Sequence, residues 1–258
     1  MEQMSLFELD AFKPQQIKIT KPIRLIELFA GIGSQAKALI NLGADFEHYK
    51  AIEFDRFAMQ SYNAIHSTDF KTSDIREIGG ADLEIVDKDD FCYILTYSFP
   101  CQDLSNAGKQ AGMKKGSGTR SGLLWEVERL LDECKALRDS DPRYGLPDFL
   151  LMENVPNVIG EKNREDFEEW CEFLVSLGYT NRYELLNAKD YGIPQNRNRC
   201  FMLSWLGGGW YEFPKPIELK KRLKDVLQPP EEVDEKYYLS EDAVKSLIRA
   251  SESPTSQL

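Results

Sequence analysis

The sequence predicts an α/β fold: a doubly wound, mostly parallel sheet with helices on both faces. Three features of the chain point there. From Ile23 onward, short apolar runs of strand length alternate with stretches of helical periodicity. Glycines stand where the helical stretches should stop, at Gly43 and Gly178. A glycine-rich turn directly follows the first apolar run. Strands separated by helices have room for crossover connections, which place successive strands parallel and cover the sheet on both sides.

Taken in order, Ile23 to Leu28 reads as the first strand and Ser34 to Leu42 as the first helix, ended by Gly43. A second strand is expected over Tyr49 to Phe54 and a second helix over Phe57 to Ile65. Cys92 to Tyr97 and Phe149 to Met152 are apolar runs that bracket a helix over Leu123 to Leu137. A helix near Asp166 to Leu177 stops at Gly178, and Cys200 to Leu203 forms a last apolar strand. The expected organisation is a polar extension over residues 1–21, a main domain over 22–205, and a bridging segment over 206–258 that ends in a polar tail from Ser251. In such sheets ligands bind beyond the carboxyl ends of the strands, so the residues just after each strand are the candidates for chemistry.

Composition narrows the function classes. With 258 residues and 42% apolar content the chain can bury one sizeable core. No apolar stretch is long enough to cross a bilayer and the start lacks a basic secretion signal, so a cytoplasmic protein without membrane contact is expected. The five cysteines are odd in number, widely spaced and without a CxxC pair, which argues against a disulfide framework and against a zinc site, so no metal is expected. His48 and His66 are the only histidines, so a nucleophile here must be activated by something other than a Cys-His pair. The net charge of −11 is high for a protein that meets phosphate, which makes local charge decisive. Asn106 to Ser121 carries Lys109, Lys114, Lys115 and Arg120 without an acid and is suited to face phosphate. Glu161 to Glu172, with six acids against two bases, reads as a solvated helix face.

Four constellations carry chemistry. Phe29-Ala30-Gly31-Ile32-Gly33-Ser34-Gln35-Ala36 forms a G-x-G-x-x-A turn, and Glu53 follows 20 residues after Gly33. The glycines let backbone approach a nucleoside ligand and the acid can accept from ribose hydroxyls. By itself this turn suits NAD, FAD or S-adenosylmethionine equally, or simply a tight structural turn. Ser98-Phe99-Pro100-Cys101-Gln102-Asp103 places a thiol just past a central strand, followed by a polar run able to start a helix whose N–H groups would favour the thiolate. Cys92, Cys134, Cys171 and Cys200 read as small core residues. Glu153-Asn154-Val155 offers a carboxyl near the end of the next strand, either a surface acid or a partly buried proton donor to a ring nitrogen. Gln195-Asn196-Arg197-Asn198-Arg199 sets two guanidinium groups on one face of an extended segment, there to meet solvent, to orient site groups or to hold phosphate.

In this order the motifs resemble the DNA cytosine-C5 methyltransferase family over roughly residues 22–245. The resemblance implies a Rossmann-like methyltransferase fold that binds S-adenosylmethionine, with S-adenosylhomocysteine as product. It places Phe29, Ala30, Gly31, Ile32, Gly33, Glu53, Phe54, Asp74, Ile75, Pro100 and Leu123 at the cofactor. Among these, Glu53 would bind ribose, Phe54 would stack on adenine and Asp74 would contact its amino group. Cys101 becomes the nucleophile, Glu153 the acid at N3 of cytosine, and Gln102, Arg197 and Arg199 the supporting catalytic set. Arg120-Ser121-Gly122-Leu123 matches the segment after a mobile catalytic loop. The implied partner is double-stranded DNA with its target base flipped out, and a restriction-modification setting is the implied context.

Family members continue beyond this chain with a target-recognition domain and two further motifs, which are not found here. A fragment, a truncated product or one chain of a split enzyme with a partner supplying the rest are the expectations this leaves open. The residues also leave three rivals to DNA methylation. tRNA-methylating relatives share the Pro-Cys-Gln and Glu-Asn-Val motifs, and a non-catalytic cofactor-binding subunit would need only the turn. A nicotinamide- or flavin-dependent oxidoreductase would leave Cys101, Glu153 and Arg197 without a role.

Overall fold

A computed structural model of the chain describes residues 16–104 and 112–251. The first strand, β1 (Ile23–Leu28), leads through the glycine turn into α1 (Ser34–Leu42), which Gly43 ends in the left-handed conformation (φ 65°). β2 (Phe46–Ile52) is followed by α2 (Arg56–His66), whose start is capped by Asp55 accepting from the N–H groups of Phe57 and Ala58. β3 (Cys92–Tyr97) and β4 (Phe149–Asn154) flank α3 (Leu124–Ser140). α4 (Arg164–Ser176) leads into β5 (Tyr179–Asn187) and β6 (Asn198–Leu206), and α5 (Glu241–Ser251) comes last.

The six strands form one sheet in the order β2-β1-β3-β4-β6-β5. β1 to β4 are mutually parallel, while β6 runs antiparallel to both β4 and β5. The expected mostly parallel sheet is therefore found, with β6 as its one reversed strand. β5 was absent from the sequence reading because only Tyr179 in it is buried, so it shows no apolar run. β2 begins and ends earlier than expected: Tyr49 to Phe54 was predicted, whereas Glu53 and Phe54 already lie beyond the strand. β4 and β6 are longer than their apolar runs, so Glu153 lies within β4, one residue before its end, rather than following it.

Neighbouring residues on a strand face opposite sides, and here the two sides have separate cores. Ile26, Leu28, Ile52, Leu95, Tyr97, Leu150 and Met152 join the buried faces of α3 and α4, among them Leu130, Leu131, Phe167 and Trp170. Ala51, on the other side of β2, packs with Ala30 and with Met59 and Tyr62 of α2. The acidic residues Glu165, Glu168, Glu169 and Glu172 form the exposed face of α4. Of the expected N-terminal extension only residues from 16 on are described, where Ile17 N–H bonds the Trp210 carbonyl (3.0 Å). Most of the expected polar tail lies outside the described residues. No helix among the described residues is long and apolar enough to cross a membrane.

Candidate active site

The carboxyl ends of β1 to β4 open into a cleft of about 1060 Å³. Phe29 after β1, Glu53 and Phe54 after β2, Pro100, Cys101 and Gln102 after β3, and Glu153 at the end of β4 all line it, as do Asp74, Ile75 and Leu123. Arg197 and Arg199 reach the same place because β6 is reversed. In that register Asn154 stands opposite Cys200, so the start of β6 lies at the end of β4. Ala30, Gly31, Ile32 and Gly33 do not line the cleft; they form the turn behind Phe29.

The segment that carries Cys101 is fixed by polar bonds to distant residues. Buried Asn154 donates from Nδ2 to the Phe99 carbonyl (3.0 Å), and Ser121 donates from Oγ to the Pro100 carbonyl (2.7 Å). Asn157 Nδ2 donates to the Leu104 carbonyl (2.9 Å), and Ser121 N–H donates to Asp103 Oδ2 (3.2 Å). Gln102 Oε1 accepts from the Arg120 guanidinium (3.1 Å). Cys101 itself is half-buried at the cleft. Burial pushes the other thiols up, Cys92, Cys134 and Cys200 to about 12 and Cys171 to about 11. No helix begins at residues 102–104: Leu104 N–H bonds the Cys101 carbonyl (3.0 Å) in a turn. The expectation of a helix N-terminus beside the thiol is corrected to that extent, and residues 105–111 lie outside the described residues.

Glu153 lines the same cleft. Its Oε1 pairs with both the Arg197 guanidinium (3.2 Å) and that of Arg199 (3.0 Å). The carboxyl is therefore held in orientation by two cations that cannot lose their charge. The basic loop expected to face phosphate is only partly free to do so. Lys115 pairs with Glu128 (2.5 Å) and lies over the Trp125 ring (5.0 Å), and Arg120 is engaged by Gln102. Lys109 is outside the described residues.

At the glycine turn, Phe29 (φ 58°), Gly31 (φ 57°) and Gly33 (φ 81°) are all left-handed. Phenylalanine rarely adopts this conformation, so the surroundings must hold it. Glu53 does part of that: Oε2 accepts from Gly31 N–H (2.9 Å) and Oε1 from Asp55 N–H (2.7 Å). Phe54 is 74% exposed at the mouth of the cleft. Asp74 caps a short 3₁₀ turn and is held bidentate by Arg76, whose side-chain hydrogen bond keeps its carboxyl below the usual range.

Sequence reasoning missed Glu27, a fully buried acid on β1 that accepts from the Tyr62 hydroxyl (2.6 Å) and from Ala36 N–H (3.3 Å). Burial pushes its carboxyl up, against the lowering effect of those two bonds. A charged residue within the apolar run Ile23 to Leu28 was the available signal. Ser121 and Asn154 stand in the sequence only as motif letters; their bonds cross 21 and 55 residues and leave no local trace.

Comparison with known proteins agrees with this geometry. A family model described as C-5 cytosine-specific DNA methylase matches residues 23–257. The chain is 35% identical to the type II methyltransferase M2.ScrFI of Lactococcus lactis subsp. cremoris, over 86% of this chain and 71% of that protein. It is 36% identical to the orphan methyltransferase M.SssI of Spiroplasma monobiae, over 81% and 65%, and 34% identical to the type II methyltransferase M.HhaI of Haemophilus parahaemolyticus, over 82% and 59%. The chain thus spans between about half and 71% of the relatives it matches. Among solved structures the fold recurs in S. pombe Dnmt2 methyltransferase, with TM-score 0.65 and 24% identity over 89% of this chain and 66% of that one. It recurs also in the Entamoeba histolytica methyltransferase EhMeth, with TM-score 0.67 and 18% identity over 87% and 65%. With a mostly parallel sheet, a glycine turn, a thiol and a paired carboxyl at one cleft, and a family match over nearly the whole length, the chain belongs to the C-5 cytosine-specific DNA methylase family.

Proposed function

We propose that this chain carries the cofactor-binding and catalytic portion of a DNA cytosine-C5 methyltransferase, with Cys101 as nucleophile. The observation that supports it most is the shared cleft, lined both by Cys101 and by Glu153, which Arg197 and Arg199 hold. The other end of that cleft has the chemistry an S-adenosyl nucleoside needs. Glu53 and Asp74 offer carboxylate oxygens, each with lone pairs left after the bonds described, and Phe54 offers an open aromatic face. Gly31 has nothing within 4 Å of where a Cβ would stand, leaving the turn open on that side. Ile75, Pro100 and Leu123 supply apolar lining.

In this reading the Cys101 thiolate adds to C6 of a cytosine flipped out of the duplex, forming the S–C6 bond and pushing electron density toward C5 and N3. Glu153 bonds N3 and takes up the charge that develops there, while Arg197 and Arg199 keep it aimed. S-adenosylmethionine, when bound, supplies an electrophilic methyl group for C5, with S-adenosylhomocysteine as product. Removal of the C5 proton by a base then lets Cys101 leave as thiolate and restores the ring. The relatives extend beyond the part this chain matches, and in this reading DNA recognition falls to further sequence, of this protein or of a second chain. The relatives include bacterial and phage proteins, and we place the work in the cytoplasm on that basis.

The test is methyl transfer from tritiated S-adenosylmethionine to duplex DNA and, separately, to tRNA, with and without a chain supplying the recognition region. Label on DNA that disappears with Cys101→Ser, while cofactor binding persists, supports the reading. Label on tRNA alone would move the substrate to RNA, and normal methylation by Cys101→Ser would overturn the nucleophile assignment.

A further inference from the structure

The chain's two histidines lie together behind the glycine turn rather than in the cleft. His48 on β2 and His66 at the end of α2 have ring centroids 5.0 Å apart, and both pack on Tyr62, at 5.9 and 4.6 Å. Neither lines the cleft. The proton positions follow from the partners. Tyr62 has one hydroxyl proton and donates it to Glu27 (2.6 Å), so toward His48 Nδ1 (2.9 Å) it accepts. His48 therefore carries its proton on Nδ1. The Ile32 carbonyl can only accept, so His66, 3.1 Å away, carries its proton on Nε2. His66 Nδ1 is buried and has no hydrogen-bond partner among the described residues, so the Ile32 bond is the ring's one polar contact there.

Those contacts matter because of the backbone they hold. Phe29, Gly31 and Gly33 are left-handed within five residues, a shape the sequence does not favour unaided. Side chains from three separate parts of the chain grip it in succession: Glu53 at Gly31 N–H, His66 at the Ile32 carbonyl, and Glu27 at Ala36 N–H. His66 also fills the space beneath the turn. A Cβ on Gly33 would stand 2.2 Å from His66 Nε2 and 2.7 Å from the Tyr62 ring. The glycine is thus required by the seat of the imidazole as well as by its own φ.

We propose that His66 is a positioning residue for the cofactor, fixing the Ile32 carbonyl and with it the shape of the glycine turn through its Nε2–H. This rests on the reading of the cleft as an S-adenosylmethionine site. His66 touches no reacting atom and acts through the backbone of Ile32 and Gly33. Glu53 and Glu27 secure the two flanks of the turn, so loss of His66 frees its middle while leaving the sheet and α1 in place.

The experiment is calorimetric titration of the purified chain with S-adenosylhomocysteine, comparing the parent with His66→Ala, His66→Phe and His66→Gln, each first checked by thermal denaturation. His66→Phe keeps a ring in the seat and loses the donor; His66→Gln loses the ring and keeps an N–H donor. We expect His66→Ala and His66→Phe to weaken binding about ten-fold, the size of one lost hydrogen bond to a functional backbone group, and His66→Gln to recover most of it. A purely packing role gives the opposite order, with His66→Phe near the parent, and that order overturns the proposal. If the parent binds S-adenosylhomocysteine and His66→Ala binds equally well, this inference falls while the cofactor reading stands. If the folded parent binds none, the cofactor reading and this inference fall together.

Discussion

Replacing Asn154 with alanine separates the support of the Cys101 segment from Cys101 itself. Asn154 is 2% exposed, donates to the Phe99 carbonyl at 3.0 Å, and accepts from Val155 N–H at 2.8 Å. Truncation deletes both bonds and leaves the Phe99 carbonyl, two residues before Cys101, without its side-chain partner. A net hydrogen bond contributes about 0.5–1.5 kcal/mol and an unsatisfied buried acceptor costs about 1–3 kcal/mol, so a loss of about 2–4 kcal/mol follows. In a domain of this size each kcal/mol lowers Tm by about 2–4 °C, which centres the expected fall near 10 °C. Differential scanning calorimetry reads that quantity directly. Turnover should fall further than stability requires, because a shift of about 1 Å at a reacting group costs on the order of 100-fold. Asn154→Asp makes the control: it keeps the shape but sets an oxygen against the carbonyl, so it should do no better than alanine. If Asn154→Ala melts within a degree of the parent and turns over normally, the bond does not hold the Cys101 segment and the reasoning fails.

Two further outcomes are expected. At pH 8, N-ethylmaleimide should label Cys101 in the folded protein and spare Cys92, Cys134, Cys171 and Cys200, whose thiols burial holds at about 11 to 12; peptide mapping before and after unfolding checks this. Extensive native labelling of the other four would contradict their placement. Glu27 gives a pH signature: burial raises its folded-state pKa, so the folded state binds the proton more tightly than the unfolded one. Its contribution to stability is complete below the ordinary carboxylate value of about 4.3 and is lost as pH rises through the raised value. Urea unfolding of Glu27→Gln should lack that decline with rising pH, and an unchanged profile would show that Glu27 is not its source.

How legible the fold was depended on where its signals lie. β1, β3 and α1 have the bounds the sequence predicts, because mainly apolar runs and a glycine stop mark them. β2 was displaced because Phe46-Glu47-His48 reads as polar although it pairs with β1, just ahead of a register shift between Leu25 and Ile26. β5 escaped because an outer strand with one buried residue carries no run, and the reversal of β6 cannot be read from its composition. Within the site, Cys101 and Glu153 stood out as residue types just past apolar runs, and the two arginines as a pair just before one. Their partners did not. Asn154, Ser121, Glu27 and His66 act through bonds to residues 55, 21, 35 and 34 positions away, and only the folded sheet brings those ends together.

The central claim is that Cys101 bonds covalently to a cytosine ring held against Glu153. The direct measurement is trapping on duplex oligonucleotides that carry 5-fluorocytosine in many sequence contexts, with S-adenosylmethionine present, followed by mass-spectrometric mapping of the denaturation-resistant adduct. Fluorine at C5 cannot leave as a proton, so the S–C6 bond should persist and map to the peptide containing Cys101, and Cys101→Ser should give none. An adduct that maps to another residue, or that Cys101→Ser forms in equal yield, would contradict the account.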